Sequence, residues 1–145
     1  VNSIMGMKFD DDEKFTTLDM NYVDLYSGET TFLKVGGVAS FIKRGKDIEV
    51  VSNPSLPFGI IDGIDINRIK RKLKSGDIIV TISDGILDVD KNKIGDTTWM
   101  EEYLSQATAN PQELAKMILE KAKKLSGDKV MDDMTVVVSK VYASY

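Results

Sequence analysis

Between Phe15 and Leu25, Leu18, Met20 and Tyr22 alternate with Thr17, Asp19 and Asn21, a period of two that predicts a half-buried β-strand. Ser27-Gly28-Glu29 reads as a turn and Thr30 to Val35 as the returning strand. A second hairpin is predicted with arms Ser40-Phe41-Ile42 and Ile48-Glu49-Val50-Val51 and a tip of Lys43-Arg44-Gly45-Lys46-Asp47, where Gly45 meets the need for a positive φ. The stretch Asn53 to Gly59 carries two prolines and a glycine, which predicts an extended loop. Residues 64 to 74 fit either form. Ile66, Ile69 and Leu73 stand at i, i+3 and i+7 as on a helix face, whereas Gly63 before them and Ser75-Gly76-Asp77 after them suit a strand. Ile78-Ile79-Val80-Thr81-Ile82 is β-branched and apolar, the pattern of a strand covered on both faces, and it ends in Ser83-Asp84-Gly85.

Two helices follow. The first is predicted over Thr98 to Gln106, with Trp99, Tyr103 and Leu104 on its buried side. The second has full punctuation: Asn110 as N-cap, Pro111 at the first helical position and Glu113 completing a capping-box pair. Leu114, Ile118, Ala122 and Leu125 form its apolar stripe, Lys123 and Lys124 face the negative end of the dipole, and Gly127 stops it. A last valine-rich strand is predicted from Thr135 to Tyr142. At the other end, Val1 to Met7 is apolar but too short to pack alone, and Asp10 to Glu13 reads as a solvated acidic loop. About six or seven strands with two adjacent helices near the end indicate an α+β domain rather than an alternating parallel one.

Composition narrows the chemistry more than the fold. The 145 residues fit one domain, and 42% hydrophobic with 29% charged residues is ordinary for a globular protein. A net charge of −4 argues against a polyanion partner. The exception is the basic run Arg68, Lys70, Arg71, Lys72 and Lys74, which lacks interleaved aromatics and reads as a protected edge strand rather than a nucleic-acid site. There is no cysteine and no histidine, so polar chemistry rests on carboxylates, hydroxyls, Lys, Arg and backbone, and a metal site would select hard Mg²⁺, Mn²⁺ or Ca²⁺. No run approaches the roughly 20 apolar residues of a membrane span. Beginning at Val1, the chain is expected to be a piece excised from something longer.

Among the carboxylates, Asp84 closes one buried strand and Asp132 opens another, positions from which rigid backbone can hold oxygens over a cleft. A metal pair roughly 3.5–4 Å apart can stabilise the attacking and leaving oxygens of a phosphoester together, with no need of histidine. Taken singly, Asp-Gly is a common turn dipeptide and an acidic pair before a strand is an ordinary cap.

The order of motifs changes that weight. Ser75-Gly76-Asp77, a buried strand, Ser83-Asp84-Gly85, two helices and Asp132-Asp133-Met134-Thr135 before a valine run resemble the second half of the 2C-type metal-dependent phosphatases. Ser40-Phe41-Ile42-Lys43-Arg44-Gly45, Leu56-Pro57-Phe58-Gly59-Ile60, Trp99-Met100 and Asn110-Pro111-Gln112-Glu113-Leu114-Ala115 resemble more closely the stage II sporulation protein E family within that group. The resemblance implies an α-β-β-α sandwich of antiparallel sheets flanked by helices, two Mn²⁺ or Mg²⁺ ions in the complete domain, and Asp84 and Asp132 as ligands of one of them. It places Gly85 beside the site and gives Asp133, where other members carry Asn, a supporting or capping role rather than ligation.

The family's bridging aspartate belongs to an earlier Asp-Gly motif that these residues do not include. Residues 1 to 145 are therefore expected to form one partial phosphatase domain without its N-terminal strands, helices and first ligand motif. Weak single-ion binding, no activity in isolation, and homodimerisation through exposed core are expected of it. The resemblance further implies hydrolysis of phosphoserine or phosphothreonine by a metal-activated water, an anti-sigma factor antagonist as phosphoprotein substrate, and a cytoplasmic catalytic domain. It also implies a parent anchored in the membrane by a region not included here, with no membrane contact by this piece. The competing reading is a non-catalytic protein-binding or regulatory module, with Pro54 to Gly59 and the Lys43 to Asp47 tip as its contact loops.

Overall fold

A computed structural model of the chain describes residues 17–52, 68–89, 93, 95–127 and 132–142. The Val1–Met7 stretch, the acidic run at Asp10–Glu13 and the Pro54–Gly59 loop lie outside the described residues. The chain divides into two compact units, residues 1–37 with 52–72 and residues 38–51 with 73–145.

The first unit holds an antiparallel sheet of β1 (Leu18–Val23), β2 (Glu29–Val35) and β5 (Arg68–Lys72), in the order β1-β2-β5. Within the open stretch 64 to 74, Arg68–Lys72 is a strand, its residues standing opposite Leu33 back to Glu29, while residues 64–67 lie outside the described residues. Pairing with β2 gives the segment Arg68–Lys72 a ladder along one of its edges. As the edge strand β5 carries exposed Arg68, Lys70, Arg71 and Lys72, charges that oppose further edge pairing.

The period of β1 is the one read from the sequence, but its apolar face turns outward: Met20 and Tyr22 are 45% and 66% exposed. Cross-strand register explains this. Asp19 and Asn21 stand opposite Lys34 and Phe32, which are fully buried, and the Lys34 ammonium needs the Asp19 carboxylate that it meets at 2.6 Å. Burial lowers the Lys34 pKa, while the bond to Asp19 and its charge act against that shift.

The second unit is built on an antiparallel sheet of β3 (Ser40–Arg44), β4 (Asp47–Val51), β6 (Ile78–Ile82) and β7 (Val136–Lys140), in the order β4-β3-β6-β7. Its helices are α1 (Asp84–Leu87), α2 (Thr98–Gln106) and α3 (Pro111–Leu125). Phe41, Ile78, Val80 and Ile82 join Ile86, Met100, Leu104, Leu114, Ile118 and Ala122 in one core. The neighbours Ile42 and Ile79 on alternate positions are also buried, so β6 is covered on both faces as its sequence predicts.

Both long helices match their predicted spans, with shifts in the buried faces. On α2, Met100 and Leu104 are fully buried at i and i+4, while Trp99 and Tyr103 flank the stripe half-buried. On α3, Leu125 lies 44% exposed beyond the stripe of Leu114, Ile118 and Ala122. Asn110 Oδ1 accepts the Glu113 amide at 3.1 Å, but the Asn110 amide goes to Thr108 Oγ1 at 3.2 Å rather than to the Glu113 carboxylate. Thr108 thus takes the reciprocal half of the capping box.

The hairpin tip between β3 and β4 is shorter than expected. Only Gly45, at φ 62°, and Lys46 form the turn, and Lys43 is buried within β3. Its ammonium donates to the carbonyls of Gly45 at 2.6 Å and Leu104 at 2.7 Å, tying the hairpin to the last turn of α2. Burial holds its pKa below the ordinary lysine value. The exposed Lys43 to Asp47 contact loop of the binding-module reading is thereby reduced to a two-residue turn.

Arg44, next along, reaches the buried Asp77, with Nη2 to Oδ2 at 2.6 Å and Nε to Oδ1 at 3.0 Å, and the Lys74 amide adds a 2.8 Å bond. The Ser75-Gly76-Asp77 turn therefore serves the fold. Among the described residues no helix is long and apolar enough to cross a membrane.

Candidate metal site

The ladder between β6 and β7 ends at Ile82 opposite Val136. Beyond it the two chains continue toward Asp84 and Asp132, so residues 48 positions apart in sequence arrive at the same end of one sheet. Ser83 fastens them. Its amide donates to the Thr135 carbonyl at 3.0 Å, its hydroxyl donates to the Asp133 carbonyl at 2.8 Å, and the same oxygen accepts the Thr135 amide at 2.8 Å.

Ser83 occupies the N-cap position of α1 and makes no side-chain cap bond there. A serine at that position ordinarily satisfies helix amides, so its hydroxyl is spent across the sheet instead. Gly85 completes the seam. A Cβ on it would lie 2.5 Å from the Asp133 carbonyl oxygen and 3.2 Å from that of Asp132, a space open only to glycine.

Asp84 and Asp132 are both exposed. Oδ1 of Asp84 accepts the Gly85 amide at 3.0 Å, and Oδ1 of Asp132 accepts the Asp133 amide at 2.8 Å. Among the described residues the Oδ2 atoms of both have no hydrogen-bond partner. Asp132 and Gly85 line a cavity of ≈170 Å³ together with Asp88, Val89, Ser126 and Met134. Asp133, expected beside the site, contributes its main-chain carbonyl to Ser83 while its side chain is exposed.

The donor set suits a hard divalent cation: anionic oxygens, each held by a neighbouring amide through one atom. Two carboxylates make part of a coordination shell, and among the described residues no group of three acidic side chains is arranged to hold an ion. They fit as a portion of a site.

Two contributors escaped the sequence reading. Asp88 lies one helical turn beyond Asp84, donates its amide to the Asp84 carbonyl at 2.9 Å, lines the cavity, and accepts the Gly95 amide on Oδ1 at 2.9 Å. Its i, i+4 spacing from Asp84 was the available signal, hidden because residues 84–87 read as a turn and not as a helix. The Ser83 hydroxyl left no signal, because its partners lie 50 and 52 residues away.

The profile of the family described as Stage II sporulation protein E (SpoIIE) matches residues 1–142. The chain belongs to the SpoIIE family. Stage II sporulation protein E of Bacillus subtilis (strain 168) is 37% identical over 142 residues, which are 97% of this chain and 17% of that protein. The chain therefore spans about a sixth of that SpoIIE relative. A solved structure of the PP2C phosphatase domain with a fragment of the regulatory domain of SpoIIE from Bacillus subtilis matches 99% of the chain and 43% of its own, at 36% identity and a TM-score of 0.87. A manganese-presoaked crystal of the SpoIIE phosphatase domain from the same organism matches 99% of the chain and 64% of its own, at 34% identity and a TM-score of 0.81. The mixed α+β fold, with antiparallel sheets and flanking helices, is that of these SpoIIE phosphatase domains.

Proposed function

We propose that these 145 residues carry two metal-ligating carboxylates, Asp84 and Asp132, of a Mn²⁺- or Mg²⁺-dependent protein serine/threonine phosphatase. The observation that supports this reading is the close seating of Gly85 on the Asp132–Asp133 main chain, which holds the two aspartate motifs side by side at one end of the sheet. The manganese presoak of a relative's phosphatase domain supports the choice of ion.

A divalent cation held there supplies the charge that polarises a phosphoester and acidifies water. The chain's own part is to present Oδ2 of Asp84 and Asp132 from a rigid sheet end, with Gly85 allowing the approach and Asp133 supporting the loop through its main chain. In this reading the bridging aspartate comes from an Asp-Gly motif outside these 145 residues. The piece by itself then binds a single ion weakly and does not turn over, and the exposed Met20 and Tyr22 favour its pairing with a second copy.

The substrate of the whole protein is phosphoserine or phosphothreonine on a protein, an anti-sigma factor antagonist in sporulation. The catalytic part works at the cytoplasmic face, joined to the membrane by a region outside these residues.

The test compares Mn²⁺-dependent phosphate release from an aryl phosphate by the 145-residue piece and by a piece extended upstream through the first Asp-Gly motif. Turnover only in the longer piece is expected. Asp84→Ala or Asp132→Ala in the full-length protein should abolish it, and undiminished turnover in either variant sinks the ligand assignment.

A further inference from the structure

We propose that Ser83 is a positioning residue for the metal-binding pair, its hydroxyl setting the separation of Asp84 and Asp132 rather than capping the helix it precedes. The inference rests on the reading of those two aspartates as ligands.

Strand pairing alone cannot set this separation. The β6–β7 ladder ends at Ile82 and Val136, and the main-chain bond from the Ser83 amide to the Thr135 carbonyl extends it by one step. Past that point, Asp132 to Met134 have no ladder to hold them. The Ser83 hydroxyl bridges the gap as both acceptor from the Thr135 amide and donor to the Asp133 carbonyl, each at 2.8 Å. One oxygen thus fixes the main chain on both sides of Met134, one residue short of the Asp132 ligand and one residue before the Asp84 ligand.

The hydroxyl makes no bond to the α1 amides, although serine at an N-cap is favoured for that bond. A local rule given up for a cross-strand bond is the mark of a site being held in place. The α1 turn keeps its place through other bonds, with Asp88 donating to the Asp84 carbonyl and Ile86 to the Ser83 carbonyl.

Ser83 is half-buried and Asp133 and Thr135 are exposed, so water can satisfy both main-chain groups if the hydroxyl is removed. Ser83→Ala should therefore leave the thermal midpoint within about 2 °C of the parent. What it should lose is geometry: groups that orient metal ligands typically cost about 10- to 100-fold in metal affinity when removed.

The experiment uses the full-length protein and reads Mn²⁺ affinity from the free-ion electron paramagnetic resonance signal, together with amide hydrogen exchange across residues 132–136 without metal. Ser83→Ala is expected to speed exchange at Thr135 and to weaken Mn²⁺ binding by about 10-fold or more, while Ser83→Thr, which keeps the hydroxyl, stays within about threefold of the parent. Asp84→Asn is the reference. If Asp84→Asn weakens Mn²⁺ binding and Ser83→Ala does not, the positioning role is overturned and the ligand assignment stands. If Asp84→Asn leaves Mn²⁺ affinity unchanged, the ligand assignment fails and the positioning role falls with it.

Discussion

Replacing Gly85 by alanine sets two effects of opposite sign against each other. Within a helix, alanine is favoured over glycine by about 1 kcal/mol, and Gly85 lies in α1. Against this, the new methyl would stand 2.5 Å from the Asp133 carbonyl oxygen, and 3.2 Å from both the Asp132 carbonyl oxygen and the Asp133 carbonyl carbon. Carbon–oxygen contacts settle near 3.3–3.6 Å, so the Asp132–Asp133 main chain must retreat by roughly 0.8 Å or more. The clashing atoms are backbone, with no rotamer to yield, and overpacking of this kind costs about 1–3 kcal/mol.

The helix gain is smaller than usual because α1 is a single short turn, leaving a net loss of roughly 1–2 kcal/mol. For a domain of this size that corresponds to a midpoint lowered by about 2–8 °C in calorimetry. The retreat also carries Asp132 away from Asp84, so Mn²⁺ affinity should fall by about 10-fold or more in the same sample. A variant that melts higher than the parent, with Mn²⁺ affinity intact, would show that helix propensity decides and that the two motifs are not packed as described.

Asp77→Asn should cost about 2 kcal/mol at neutral pH in urea denaturation, less than the roughly 3–5 kcal/mol of breaking a fully buried ion pair because Arg44 is half exposed. Burial is the largest single influence on Asp77 and raises its pKa, but the Arg44 bonds, the Lys74 amide and nearby positive charge together outweigh it and hold the carboxyl below its ordinary value of 3.8. The stabilisation is thus fully present above 3.8 and fades as pH falls through the lower folded value; the Asn variant should lack that acid-side loss. Asn110→Ala removes the acceptor of the Glu113 amide and should cost about 1 kcal/mol by the same assay, with no change in Mn²⁺ binding. Ile118→Ala, at a fully buried position on α3, should cost about 2–5 kcal/mol, and a loss below about 1 kcal/mol would place that residue outside the core.

Local chemistry made much of this protein legible in one dimension. Asn110 and Pro111 open α3 and the β-branched run Ile78 to Ile82 makes a two-faced strand because capping, propensity and period act over a few residues. The absence of histidine and cysteine likewise restricts a metal site built from these residues to oxygen ligands, and Asp84 and Asp132 are singled out by the order of several motifs and the family resemblance that order carries, each motif alone being an ordinary turn or cap. Tertiary structure decided what depends on partners distant in sequence. It turned Met20 and Tyr22 outward because Lys34 needed Asp19, made Arg68–Lys72 a strand because β2 had an open edge, and buried Lys43 because α2 offered the Leu104 carbonyl. It also set the Ser83 hydroxyl on Asp133 and Thr135 and gave Gly85 its tight seat, since a hydrogen bond or a close contact is decided by distance in space, and 50 residues of intervening chain carry no local trace of it.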